Sequence, residues 1–162
     1  MPIENRIQNE GEGFYIAMET LNGGRIGIAS QALGIARASL EKSIAYSKER
    51  KQFGKTLNSF GAVKSKLAQM ATRLEAARLL TWKAAKMKDS KLDYVKEAAM
   101  AKLFASQLAV DASRDCGQIY GGYGYMQEYG VERLMRDAKI TQIYEGTSEI
   151  QELIISRCLN EK

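Results

Sequence analysis

The residues best placed to do chemistry lie in the segment IYEGTSEIQ, 143 to 151, where a single carboxylate, Glu145, precedes a glycine and the start of a helical pattern. A glutamate held by a turn beside Ile143 and Tyr144, rather than on a solvated helix face, can be aimed into a cleft as a general base requires. Gly146 lets backbone approach a ligand closely, and the first amides of the following helix offer donors to an anion. The competing reading is an ordinary acidic residue near a helix N-terminus, where the dipole favours negative charge. The chain has no histidine, so imidazole acid/base chemistry, histidine triads and two-histidine metal sites are excluded, and no metal site is expected.

Two further segments carry candidate binding residues. In QIYGGYGY, 118 to 125, Gly121 and Gly122 let backbone lie against a flat or phosphate-bearing ligand, although the same glycines serve equally as a helix C-cap and turn. The spacing is not a dinucleotide fingerprint, because it follows a helix and not a strand. In SKERKQFG, 47 to 54, Arg50 can fork onto a phosphate, while the same cations are favourable at a helix C-terminus for purely structural reasons. Twenty-four Lys and Arg against 19 Asp and Glu leave a net charge of +5 over 162 residues. That balance suits phosphate-bearing partners. No aromatic stripe accompanies the positive charge, which argues against nucleic acid.

The elements that must position these residues read as helices. A single proline, Pro2, leaves long segments free of breakers. Apolar residues recur at spacings of three and four along Ile26, Ala29, Leu33, Ala36, Leu40 and Ile44. A second stripe runs through Val63, Leu67, Met70, Leu74 and Ala77. A third runs through Ala98, Ala101, Ala105, Leu108, Ala112, Cys116 and Ile119, and its alanines imply close approach to a neighbouring helix. The last comprises Ile150, Leu153, Ile154, Arg157 and Cys158. Breakers at 53–59, 88–91 and 121–124 separate the four. Residues 131–139 read as a short additional helix and 140–146 as an irregular crossing. Thr147 or Ser148 can cap the last helix, with Ser148 and Gln151 as a possible capping box. No strand of convincing length is expected. The fold class is therefore all-α, an antiparallel up-and-down four-helix bundle over a single domain, 1–162. Trp82 and the Met and Leu positions read as core or subunit contact. Apolar runs fall far short of the roughly 20 residues of a membrane span, so no membrane partner is expected. The opening MPIENRIQNEGEG lacks the apolar core of a secretory leader, and two cysteines outside any CxxC context suit a reducing cytoplasm.

Taken in order, RKQFG, QIYGGYGY and RDAKITQIYEGTSEIQ, with the opening NEGEGFYIAMETLNGGRIGIASQALGIA, resemble the C-terminal domain of the acyl-CoA dehydrogenases, most closely the short-chain (butyryl-CoA) type. The resemblance implies a four-helix bundle that also builds a dimer or tetramer. It implies α,β-dehydrogenation of a short-chain acyl-CoA, with FAD as cofactor and an electron-transfer flavoprotein as electron acceptor. Glu145 corresponds to the family's catalytic base, which removes the pro-R α-proton while the β-hydrogen leaves as hydride to the flavin. The thioester carbonyl is held by the base's own backbone N–H and a flavin ribityl hydroxyl, which stabilises enolate-like charge. Some relatives carry the base at the position of Gly24, leaving Glu145 without a rival here.

The same resemblance implies that Arg50 meets the FAD pyrophosphate of a neighbouring subunit, with Phe53 beside it. Gln118, Gly121 and Gly122 match a QxxGG against which the adenosine half lies, again across the interface. Thr147 and Glu149 contact FAD within the same subunit. Asn22 and Arg25 match a substrate-binding Asp-x-x-Arg, with Asn22 lacking the usual charge, and Gly146 flanks the thioester. Gly61 stands where an FAD-contacting glutamine is usual. The family's α-helical and β domains are not covered, so residues 1–20 are expected to be the lead-in from the β domain. The chain is expected to be a fragment or half of a split enzyme, inactive alone. Competing readings are a non-catalytic oligomerisation or FAD-binding module and an acyl-CoA oxidase.

Overall fold

A computed structural model describes residues 2–160; the outermost residues of the expected domain, Met1 and 161–162, lie outside them. Five α-helices follow one another: α1 (Gly13–Glu49), α2 (Gly61–Asp89), α3 (Val95–Tyr120), α4 (Glu132–Ile140) and α5 (Ser148–Asn160). The four longer ones are those read from the apolar stripes, and α4 is the short helix expected over 131–139. The lead-in expected over 1–20 is helical from Gly13 onward, as part of α1. The link after α1 contains an antiparallel pair of two-residue strands, β1 (Lys51–Gln52) and β2 (Lys55–Thr56), joined through Phe53 and Gly54. Both linking residues have positive φ, 51° and 76°.

α3 is the hub, packing against α1, α2, α4 and α5. Its buried face reproduces the alanine-rich stripe from Ala98 to Ile119 in full. α1 answers with an equally small-residue face, Ala29, Ala32, Ala36, Ser39, Ser43 and Ser47. Ile26, Leu33 and Leu40 of the expected stripe only flank it. The three serines can be buried because each hydroxyl donates to a carbonyl of the preceding turn: Ser39 to Ile35 (2.9 Å), Ser43 to Ser39 (2.7 Å) and Ser47 to Ile44 (3.1 Å). On α2 the buried face is Met70, Leu74 and Ala77, continued by Thr81 and Ala84. Cross-helix pairs from Lys66 to Asp115 (2.5 Å) and Arg73 to Asp111 (2.9 Å) rivet α2 to α3.

The stripe expected on α5 is corrected by the structure. Ile150 and Leu153 are exposed, and the residue of α5 that is fully buried is Gln151. The reason is that α5 packs chiefly on α3, so among the described residues no further element covers Ile150 and Leu153. Trp82 is likewise outside the core, at 63% exposure.

Candidate functional site

Residues 141–147, between α4 and α5, form an irregular turn tied down on several sides. The Ser148 N–H donates to the Gln142 carbonyl (3.1 Å) and closes the turn at its base. The Tyr144 hydroxyl donates to Gln31 Oε1 on α1 (2.5 Å), and Gln142 Nε2 donates to Gln107 Oε1 on α3 (3.0 Å). At the apex Glu145 has φ +54° and Gly146 φ +89°. A left-handed conformation costs an L-residue other than glycine roughly 1 kcal/mol, and such strain persists only where surrounding contacts over-determine it. Among the described residues no backbone carbonyl accepts from the Glu145 N–H.

The turn directs the half-buried Glu145 side chain onto α1 at Gly24. A Cβ added to Gly24 would lie 3.0 Å from Glu145 Cδ and closer still to Oε2, so the carboxylate occupies space that any other residue would fill. One residue on, Arg25 is only 4% exposed. It donates through Nη1 to Asn22 Oδ1 and leaves Nε buried without a partner. Burial pushes the Arg25 guanidinium below its usual range, opposed by the Glu145 carboxylate. Glu149 lies in the first turn of α5, exposed. Its own backbone N–H and the Thr147 hydroxyl hold its carboxylate below the usual range. Glu145, Gly146, Thr147, Glu149, Asn22 and Arg25 thus converge on one end of the bundle.

Two residues that sequence reasoning did not assign to the site belong to the same end. Lys102 of α3 is fully buried, and its Nζ donates to the Gly146 carbonyl (2.7 Å). Burial, then the Arg25 charge, lowers its pKa to about 8, while Glu145 and Glu149 act in the opposite sense. Gln151, also fully buried, donates through Nε2 to the carbonyls of Gly146 (2.9 Å) and Glu145 (3.3 Å). The Ser148–Gln151 capping box is therefore corrected, because the Gln151 amide reaches back to the turn. A signal for Lys102 was available: Ala98, Lys102, Ala105, Ala109 and Ala112 keep the three-four spacing of a buried face, with a lysine at one core position.

The remaining candidates lie elsewhere. Arg50 is 25 residues along the helix from Arg25, a displacement of about 37 Å at the α-helical rise. Arg50, Tyr46, Tyr120, Gly121, Gly122 and Tyr123 line a cleft of about 490 Å³. Tyr46 stacks on Tyr120 with centroids 3.9 Å apart, and the Arg50 guanidinium lies 5.5 Å from the Tyr123 ring centroid. Gly121, at φ +61° and ψ −137°, has a backbone that glycine adopts without strain, and a Cβ added to it or to Gly122 would meet open space. Gln118 lines an adjoining cleft that shares both glycines. Phe53 does not join them; it is 90% exposed at the tip of the β1–β2 hairpin, edge-on to Phe60.

A family model described as the acyl-CoA dehydrogenase C-terminal domain matches residues 11–159. The chain belongs to the acyl-CoA dehydrogenases, as their C-terminal domain. It is 58% identical over 98% of its length to an acyl-CoA dehydrogenase of Bacillus subtilis, covering 42% of that protein. It is 48% identical over its whole length to the caffeyl-CoA reductase-Etf complex subunit CarC of Acetobacterium woodii, covering 43% of it. The solved structure of butyryl-CoA dehydrogenase from Megasphaera elsdenii superposes with a TM-score of 0.97 at 52% identity, over 98% of this chain and 42% of that one. The acyl-CoA dehydrogenase domain described here thus spans about two fifths of the length of the relatives it matches. Its all-α architecture is that of the matched family.

Proposed function

We propose that this domain supplies the catalytic base and part of the cofactor surface of an FAD-dependent enzyme that dehydrogenates short-chain acyl-CoA thioesters between Cα and Cβ. The observation that carries the reading is Glu145, a carboxylate at the apex of a left-handed turn, seated against the bare Cα of Gly24. Its carboxylate takes the α-proton and becomes the carboxylic acid. Its backbone N–H, which no backbone carbonyl occupies among the described residues, is free to donate to the thioester oxygen as negative charge develops there. The flavin, when bound, supplies the acceptor for the β-hydride. Asn22, Arg25 and Gly146 bind the acyl-CoA, and Thr147 and Glu149 meet the FAD that serves this base.

The cleft at Arg50 fits an anionic dinucleotide, with a guanidinium at its rim, aromatic rings on its wall and a glycine backbone open along one side. It lies some tens of ångströms along α1 from Glu145, too far for both ends to hold one FAD molecule. This separation supports a dimer or tetramer in which Arg50, Phe53, Gln118, Gly121 and Gly122 serve a neighbouring subunit's cofactor. The relative in an Etf complex supports an electron-transfer flavoprotein as acceptor. No helix among the described residues is long and apolar enough to cross a membrane, and a cytoplasmic enzyme fits the two free cysteines.

The purified chain, supplied with FAD and butyryl-CoA, is expected to reduce no dye, because flavin and acyl chain also need the domains that the longer relatives carry. Titration with FAD, read by flavin fluorescence on a sample sized in parallel, tests the cofactor surface. Quenching at micromolar FAD in an oligomer supports it, and a monomer without quenching counts against a cofactor site in this domain alone. Dye reduction by the chain alone would overturn the division of labour between domains.

A further inference from the structure

The reaction assigned to Glu145 needs its carboxylate and its N–H aimed together, and both depend on a backbone that is strained at the apex of a turn. The geometry points to Lys102 and Gln151 as a buried clamp that holds the Glu145–Gly146 turn, making them positioning residues for the base. This rests on the reading of Glu145 as the base, and deepens it.

Three observations carry the inference. First, the Gly146 carbonyl accepts from both residues, from Lys102 Nζ at 2.7 Å and Gln151 Nε2 at 2.9 Å, so both of its lone pairs are engaged. One of these donors is a cation, and charge-assisted bonds are roughly twice as strong as neutral ones. Second, the Gln151 amide also donates to the Glu145 carbonyl, bridging the two peptide units that have positive φ. Its orientation is dictated, because a flipped amide would set Oε1 against two carbonyl oxygens. In the observed orientation Oε1 is buried without a partner. Third, both side chains are fully buried, although a lysine in an alanine face is costly unless something requires it there. The charges of Arg25 on α1, Glu145 in the turn and Glu149 on α5 all act on that cation. Its Nζ is committed to a main-chain carbonyl of the catalytic turn, which a residue serving only to fill the core would not need.

The test is backbone amide hydrogen exchange on the full chain, carrying Lys102→Met, Lys102→Arg or Gln151→Leu in turn. The readout is the pair of amides that close the turn, Tyr144 and Ser148, against the core of α3 as an internal reference. Lys102→Met keeps the volume and removes the donor. It is expected to speed exchange at Tyr144 and Ser148 by about tenfold or more while α3 stays protected, as loss of one charge-assisted bond requires. Lys102→Arg, which keeps a cation with N–H donors, is expected to recover most of the protection. Gln151→Leu gives the same local result and carries the test if Lys102→Met does not fold. Unchanged exchange in both Lys102→Met and Gln151→Leu overturns the clamp, as does a rise spread equally over α3.

The catalytic half is read in a three-domain enzyme carrying this domain. There Lys102→Met is expected to lower kcat for butyryl-CoA about tenfold with little change in KM, and Lys102→Arg to restore part of it. An unchanged kcat beside faster turn exchange would remove the positioning role. Glu145→Gln separates the two readings: full activity in that variant overturns Glu145 as the base, whereas the exchange result does not depend on the reaction.

Discussion

At the Glu145 end the charged groups face one another inside the bundle, whereas at the Arg50 end they face outward across an open cleft. Arg25 and Lys102 are buried around Glu145, and four side chains from three helices tie down its turn: Gln31, Lys102, Gln107 and Gln151. Around Arg50 the lining is aromatic rings and glycine backbone, with Arg50 itself exposed. On the function proposed above, the difference follows from what each end has to do. A base must be aimed before substrate arrives, so its supports lie within one chain. A surface for an extended dinucleotide needs access, shape and one cation, and its remaining walls can come from another subunit.

The largest effect expected is on the first end. In a three-domain enzyme carrying this domain, Glu145→Gln should lower dehydrogenation by about 10⁴-fold, the upper range for a general base, and leave flavin absorbance intact. Loss of flavin instead would make Glu145 structural and erase the contrast. Gly24→Ala should follow in the same direction, because its Cβ must displace the carboxylate, and a Cα–H exchange assay on butyryl-CoA would show the loss directly.

A smaller effect is expected at the second end. Arg50→Met should weaken FAD binding about tenfold, the worth of one charge-assisted contact, in a fluorescence titration. Amide exchange at Tyr144 and Ser148 should be unaltered; a change there would mean that the two ends are coupled. Gly124→Ala tests the scaffold beneath this cleft. Its Cβ would lie 2.8 Å from Gly117 Cα on α3, and backbone cannot retreat as a flexible side chain can. A loss of about 1–3 kcal/mol in denaturant unfolding is expected.

The smallest effect is a pH dependence specific to the first end. Lys102 has a pKa of about 8 in the folded chain against 10.5 for an ordinary lysine. Between these values the unfolded chain binds more protons than the folded one, so stability rises with pH across that window. The unfolding free energy of the wild type, less that of Lys102→Met, should therefore increase from pH 8 to 10.5. A flat or falling difference would mean that the buried ammonium is better compensated by Glu145 and Glu149 than its burial suggests.

Much of this was legible in the chain itself. One proline and four apolar stripes dictated long helices, and the RKQFG, QIYGGYGY and YEGTSEIQ segments marked both ends of the bundle. The serine face of α1 was missed because a serine reads as polar until its hydroxyl is seen bonded to the previous turn. The α5 stripe was misread because helical periodicity reports an amphipathic face without saying whether anything in the same chain covers it.

What the sequence by itself determined is therefore local: where helices run, and which turn carries the candidate base Glu145. Only the tertiary structure decided what surrounds that turn. Lys102 reaches Gly146 across 44 residues, and Glu145 fills the space above Gly24 from the far end of the chain. Such contacts are set by how α1, α3 and α5 pack. Whether a lysine in an alanine stripe is a defect or a clamp depends on which carbonyl that packing places within reach of its Nζ.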